Sequence, residues 1–152
     1  RHKEEEITLI ADAYRGSEIR NCYLAFEEAL ASKEHDLVAF IGHNVLMDTL
    51  VLEADPVSDN PTKAIILACL SESYFSPRLG RLGAEPILLT SQLMYPGAFL
   101  LHDAIEAWRT GGSKDAILKA AVRAYARNQG ISVSAGTGIF AKLPENQTTP
   151  TP

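Results

Sequence analysis

The sequence predicts an α/β domain: a three-layer sandwich with a mostly parallel sheet between two layers of helices. Short runs of consecutive apolar residues alternate along the chain with longer segments whose apolar residues recur at helical spacing. The apolar runs are uninterrupted, which is typical of strands that helices cover on both faces. At 152 residues the chain is long enough for one such domain to bury a core without disulfides or metals.

The first half of the chain predicts strand, helix and strand in turn. Ile7–Ala13 is an apolar run that predicts a first buried strand. Apolar residues at helical spacing then predict a helix from Glu18 to Ala31. Leu37–Ile41 predicts a second buried strand, and Thr49–Glu53 predicts a short strand that leads into a turn rich in proline and aspartate.

The middle of the chain repeats the alternation. Lys63–Ala68 predicts a third strand, and Pro86–Thr90 predicts a fourth. Between them, Tyr74–Leu82 predicts a short helix. Gly83 follows it at the position where the left-handed conformation favours glycine, so the helix is expected to end there.

The last part of the chain predicts two amphipathic helices, Tyr95–Arg109 and Ser113–Asn128, separated by a pair of glycines. Ile131–Val133 and Gly138–Ala141 are expected to form a last strand or an irregular closing segment. The expected domain therefore spans residues 7–143. A charged lead-in at residues 1–6 precedes it, and a disordered tail rich in proline and threonine follows at residues 144–152.

Composition argues against several classes of function. The net charge of −5 and the scattered basic residues give no electrostatic reason to expect nucleic acid or anionic lipid as a partner. No apolar run approaches the length of a membrane span. The 2 cysteines form no CxxC motif, and no acidic group has metal-ligand spacing, so neither a metal nor a cofactor is expected. The compartment stays open between cytoplasmic and exported.

The carboxyl ends of the predicted strands are where functional groups collect in parallel sheets. His43 follows the second predicted strand, and Cys69 follows the apolar core of the third. Neighbouring strands lie about 5 Å apart, so the two side chains are expected within reach of each other, at roughly 3–4 Å or looser without a ligand. A thiol reacts as its thiolate, which a nearby imidazole can generate. From spacing alone, a cysteine that only packs in the core remains the alternative.

Other residues near the same strand ends are expected to bind substrate. Backbone N–H groups around the two strand ends suit a developing oxyanion. A pocket is expected at the end of the first predicted strand, where an arginine suits an acidic side chain. Cys22 lies on the apolar face of its helix and is expected to be a core residue. The residues expected to bind oxyanion or substrate are Gly42, Asn44, Ser71, Glu72, Tyr14 and Arg15.

Two segments resemble the histidine and cysteine strands of caspase-like (clan CD) cysteine peptidases, a group that includes caspases, metacaspases, gingipains, separases and CHAT domains. They are Leu37–Asn44 (LVAFIGHN) and Ala64–Ser71 (AIILACLS). Among bacterial proteins the chain looks closest to small caspase-like proteins with the patterns GH(N/D)xLMD and ACxSxxYF, here Gly42–Asp48 and Ala68–Phe75. The resemblance covers roughly residues 7–128.

The resemblance implies a caspase-like fold and a bacterial cysteine endopeptidase that acts on a peptide or protein through His43 and Cys69. In that fold a central strand lies between the histidine strand and the strand that Ile7–Ala13 resembles. The resemblance therefore implies that an upstream segment or another chain, such as a second copy in a homodimer, completes the sheet. Two alternatives stay open: an inactive caspase-like interaction module, and an α/β domain that binds a small ligand, although the chain has no GxGxxG or P-loop.

Overall fold

The sheet in the computed structural model, which describes residues 7–145, has three parallel strands. They are β1 (Leu37–Ile41), β2 (Lys63–Leu67) and β3 (Glu85–Leu88), arranged in the order β1-β2-β3. Both strand pairings are parallel, so the predicted α/β class and the mostly parallel sheet are confirmed. The expected lead-in, residues 1–6, and the expected tail beyond residue 145 lie outside the described residues.

Among the described residues one helix precedes β1, one connects β2 to β3 and three follow β3. The four predicted helices are confirmed, with ends that differ by a few residues. Gly83 ends the second helix with a left-handed φ of 65°, as predicted. The side chain of Ser113 caps the fourth helix by accepting from the N–H of Ala116. The helices of the described residues are α1 (Ile19–Ser32), α2 (Ser71–Leu82), α3 (Ala98–Arg109), α4 (Lys114–Gln129) and α5 (Val133–Thr137).

Different helices cover the two faces of the sheet. On one face, Phe40 of β1 packs in a cluster with Tyr23 of α1 and Phe75 of α2, whose rings lie 5.7 Å apart at their centroids. On the other face, Leu67 of β2 packs with Leu100 of α3 and with residues of α4. Because successive strand residues point to opposite faces, burial on both faces requires the uninterrupted apolar runs seen in the sequence.

The predicted first strand, Ile7–Ala13, is wrong. The structure assigns it to no strand, and its large apolar side chains are exposed, with Leu9 at 73% and Ile10 at 70%. An apolar run forms a strand only where its backbone groups meet a partner, and this run does not pair with β1. Among the described residues β1 pairs with β2 alone, so its other edge has no neighbouring strand. A groove of about 510 Å³ lies where that edge meets residues 12–16.

The predicted strand at Thr49–Glu53 is also wrong, because this segment is an irregular loop held by a helix. Arg78 of α2 donates to the carbonyl groups of Val51 and Leu52, at 3.3 and 2.7 Å. The backbone oxygens that a sheet would pair are thus taken by a guanidinium group. The segment is therefore an anchored loop, although its apolar residues resemble those of a strand.

The closing segment contains a short helix and an irregular stretch, and the irregular alternative is confirmed for Gly138–Ala141. A strand at Ile131–Val133 is wrong, since α5 begins at Val133, where the side chain of Ser132 caps it. Gly138–Ala141 is irregular apart from one antiparallel bridge between Thr90 and Phe140. That bridge ties the end of the domain to the chain that follows β3.

Candidate functional site

The register of the sheet sets His43 and Cys69 at the same edge. Ile41 of β1 lies opposite Leu67 of β2. The N–H of Gly42 continues this pairing by donating to the carbonyl of Leu67, at 3.2 Å. His43 and Cys69 each follow two residues after the Ile41–Leu67 pair, so the chain leaves the sheet at both residues side by side.

Asn44 joins the two turns. Its side chain is fully buried and donates from Nδ2 to the carbonyl oxygen of Cys69, at 2.7 Å. Its Oδ1 accepts from the N–H of Leu46 at 3.1 Å, which caps a single turn of 3₁₀ helix at Val45–Met47. Asn44, expected to contact substrate, therefore braces the histidine turn against the cysteine turn through its side chain.

The turn that carries Cys69 has a strained backbone. Leu70, between β2 and α2, adopts a left-handed φ of 51°. For a residue with a branched side chain this conformation costs roughly 1–2 kcal/mol. Strained non-glycine residues of this kind cluster at functional sites, and a sharp strand-to-helix turn is the geometry that exposes a nucleophile. Cys69 stands immediately before this residue.

A buried pair of hydroxyl groups fixes the cysteine turn from below. Ser71 and Thr90 are both fully buried. Their hydroxyl oxygens lie 3.1 Å apart, Ser71 Oγ donates to the carbonyl of Ile66 at 3.0 Å, and Thr90 Oγ1 donates to the carbonyl of Ala68. The N–H groups of Ser71 and Glu72, expected to face an oxyanion, instead donate to Thr90. Sequence reasoning missed Thr90, although a hydroxyl residue at a strand end was the available signal.

The sulfur of Cys69 contacts the loop after β3. The N–H of Met94 donates to Sγ at 3.4 Å, and Sγ lies 3.5 Å from the carbonyl oxygen of the same residue. The N–H of Leu70 donates to the carbonyl of Gln92 in this loop, at 3.0 Å. Cys69 is consequently half-buried under Met94. A backbone N–H beside the sulfur is also the type of donor that stabilises an oxyanion.

The imidazole of His43 is paired with a carboxylate and not with the thiol. Its Nε2 lies 2.5 Å from Oδ2 of Asp48, and the two side chains are 58% and 64% exposed. Within residues 7–145, neither ring nitrogen of His43 forms a hydrogen bond with Cys69. The expected contact between imidazole and thiol is therefore not formed in this structure.

The groove beside the free edge of β1 adjoins the histidine. Tyr14 and Arg15, expected to line a pocket, lie along it together with Gly42 and His43. Cys22 of α1 also lines the groove while packing against the core. Burial raises the pKa of the Cys22 thiol, and the charge of nearby Asp12 raises it further, which disfavours the reactive thiolate.

The described residues offer neither a metal-binding cluster nor a membrane-spanning helix. Between residues 7 and 145 the structure has no group of three histidine, cysteine or acidic side chains that could hold a metal ion. In the same part of the chain no helix is long and apolar enough to cross a membrane. Comparisons of the chain with protein-family models, with curated proteins and with solved structures give no match.

Proposed function

We propose that this chain is a cysteine hydrolase, most simply a caspase-like peptidase, with Cys69 as the nucleophile and His43 as the base. The observation that carries the proposal is the register of β1 and β2, which ends both strands at the same edge two residues before these side chains. The buried brace from Asn44 to the Cys69 carbonyl and the strained turn at Leu70 add support. A buried polar side chain that holds the Cys69 turn supports a role for the geometry of that turn in the proposed function.

The proposed reaction begins with transfer of the Cys69 Sγ proton to the imidazole of His43. The sulfur keeps the electron pair, attacks the carbonyl carbon of the peptide bond, and forms a C–S bond while the carbonyl electrons move to oxygen. When the tetrahedral intermediate collapses, the C–N bond breaks and His43 returns the proton to the leaving nitrogen. Water then hydrolyses the thioester, which restores the thiol and releases the acid.

The reaction requires a rearrangement around the sulfur and the imidazole. A substrate carbonyl must reach Cys69 in place of the Met94 backbone, which holds Sγ in this structure. Catalytic hydrogen bonds are often long or absent without substrate and tighten when it binds. Because His43 is exposed, its ring can change rotamer without unpacking the core.

Site-resolved alkylation with iodoacetamide tests the proposal without requiring a known substrate. We expect Cys69 to react at least about tenfold faster than Cys22, because a positioned imidazole activates a thiol and burial protects the other. His43→Ala should slow the alkylation of Cys69 and leave that of Cys22 unchanged. His102→Ala is the matched control, since that histidine is exposed on α3. Faster labelling of Cys22, or no effect of His43→Ala, would contradict the proposal.

A second function, a non-catalytic module that binds a peptide or protein, is favoured by one observation. Cys69 Sγ and His43 each contact a partner other than one another. This alternative predicts no activated thiol, no turnover on a peptide library, and peptide binding that survives Cys69→Ala. The peptidase instead predicts an activated Cys69 thiol and turnover of peptides, and Cys69→Ala should abolish that hydrolysis.

A further inference from the structure

The chain after His43 folds back on itself within one turn. Asn44 begins the 3₁₀ turn, and its carbonyl accepts from the N–H of Met47 at 3.1 Å. The N–H groups of Asp48 and Thr49 both donate to the carbonyl of Val45, at 3.2 and 3.0 Å. These backbone bonds return Asp48 to the imidazole, so its position follows from the turn and not from a chance contact between mobile side chains.

The contact with Asp48 determines which ring nitrogen carries the proton. An ionised carboxylate only accepts hydrogen bonds, so the Nε2 that lies 2.5 Å from Oδ2 must be the protonated nitrogen of the neutral ring. The other nitrogen, Nδ1, then has a free lone pair. Nδ1 takes no hydrogen bond from the described residues, and it is the atom that can accept a proton.

We propose that Asp48 is a positioning residue that holds His43 in its Nε2–H tautomer, with Nδ1 free to take the proton of Cys69; this role rests on the proposed hydrolase function. When Nδ1 accepts that proton, the ring becomes an imidazolium, which the carboxylate at Nε2 stabilises. Asp48 acts through His43 and touches neither the thiol nor the substrate. Asn44 keeps the same turn attached to the carbonyl of Cys69, so the oriented ring and the thiol are held by one structure.

The effect of removing this carboxylate is expected to be moderate. Both side chains are more than half exposed, so water can replace part of the interaction. A buried triad carboxylate can contribute about 10⁴-fold, whereas an exposed one should contribute about fivefold. Because a fivefold change in rate is small, the tautomer of His43 should be measured directly as well.

Two measurements on the whole chain test the role of Asp48. The first is the ¹⁵N spectrum of the histidine rings in mildly alkaline buffer, with the His43 signals assigned from their loss in His43→Ala. The wild-type ring should be the Nε2–H tautomer, Asp48→Ala should give a mixture with Nδ1–H, and Asp48→Glu should restore the wild-type signal. The second is the rate of Cys69 alkylation, which should fall about fivefold in Asp48→Ala and recover in Asp48→Glu.

The matched control is Asp55→Ala, which removes an exposed carboxylate from the same loop and should change neither measurement. If His43→Ala slows Cys69 alkylation but Asp48→Ala does not, or if the tautomer is unchanged in Asp48→Ala, the role of Asp48 is overturned while the hydrolase proposal stands. If His43→Ala itself leaves Cys69 alkylation unchanged, the proposed function is overturned.

Discussion

Replacing Arg78 with methionine should strongly destabilise the domain, because it breaks a buried ion pair between two helices. The guanidinium forms a two-bond pair with the carboxylate of Glu27 on α1, at 2.7 and 3.0 Å, and stacks 5.3 Å from the ring centroid of Tyr23. The hydrogen bond to Glu27 raises the pKa of Arg78, so the pair is ionic. It joins α1, α2 and the loop after Asp48 in one network.

The magnitude follows from burial. The side chains of Arg78 and Glu27 are only 14% and 7% exposed, so Arg78→Met leaves a buried carboxylate whose remaining partner is the hydroxyl of Tyr23. Breaking a buried pair on one side costs about 3–5 kcal/mol. For a domain of this size each kcal/mol lowers the melting temperature by about 2–4 °C, so we expect a fall of roughly 6–20 °C.

Urea unfolding followed by circular dichroism measures this cost. Arg81→Met is the matched control, since Arg81 lies on the same helix but its side chain and that of its partner Glu53 are 40% and 64% exposed. It should lose no more than about 1 kcal/mol. Adding Glu27→Gln to Arg78→Met should recover part of the loss, because no buried charge then remains. Equal costs for the two arginine variants, or no recovery, would refute this reasoning.

Two further outcomes follow from the same coordinates. Burial, reinforced by the hydrogen bond to Glu27, raises the pKa of Tyr23. Above about pH 10 the folded chain therefore keeps a proton that the unfolded chain loses. The free energy of unfolding should then fall by up to ~1.4 kcal/mol per pH unit. Tyr23→Phe should flatten this decline and the exposed Tyr74→Phe should not; parallel profiles in urea titrations would contradict it. The unpaired edge of β1 and the exposed Leu9 and Ile10 should make the described domain self-associate, and Leu9→Lys with Ile10→Lys should reduce its light-scattering mass at high concentration. If the measured mass is that of a monomer at every concentration, or if the two lysine substitutions do not change it, this edge does not cause self-association.

The strands illustrate what an apolar run can and cannot predict. Leu37–Ile41 has the same bounds in the structure as in the sequence prediction, because it lies beside β2 and under α1. Ile7–Ala13 carries the same signal but pairs with nothing in the described chain. An apolar run reports the tendency to be buried, while a strand also needs a neighbour for its backbone groups. Whether that neighbour exists is a property of the whole fold.

The candidate site divides in a similar way. The positions of His43 and Cys69 follow from strand ends, which local sequence patterns indicate well. The contacts of Met94 and Thr90 do not, because they belong to the chain after β3, and its path is set by bonds such as that from the Leu70 N–H to Gln92. The contact of Asp48 could have been predicted from the sequence, since one helical turn after His43 can return a residue five positions later to the imidazole.

At this edge of the sheet the residues that hold the two turns are buried, whereas the two candidate catalytic side chains are accessible to solvent. The groups that hold the two turns, Asn44, Ser71 and Thr90, are fully buried and hydrogen-bonded, whereas His43 is largely in water and Cys69 is half-buried. A buried polar group that loses its partner costs about 1–3 kcal/mol, so these turns resist rearrangement. A domain that needed only a stable sheet would gain little from such bracing beneath an exposed imidazole. Such bracing is what the proposed hydrolase would require, since a displacement of about 1 Å can cost a hundredfold in catalytic rate.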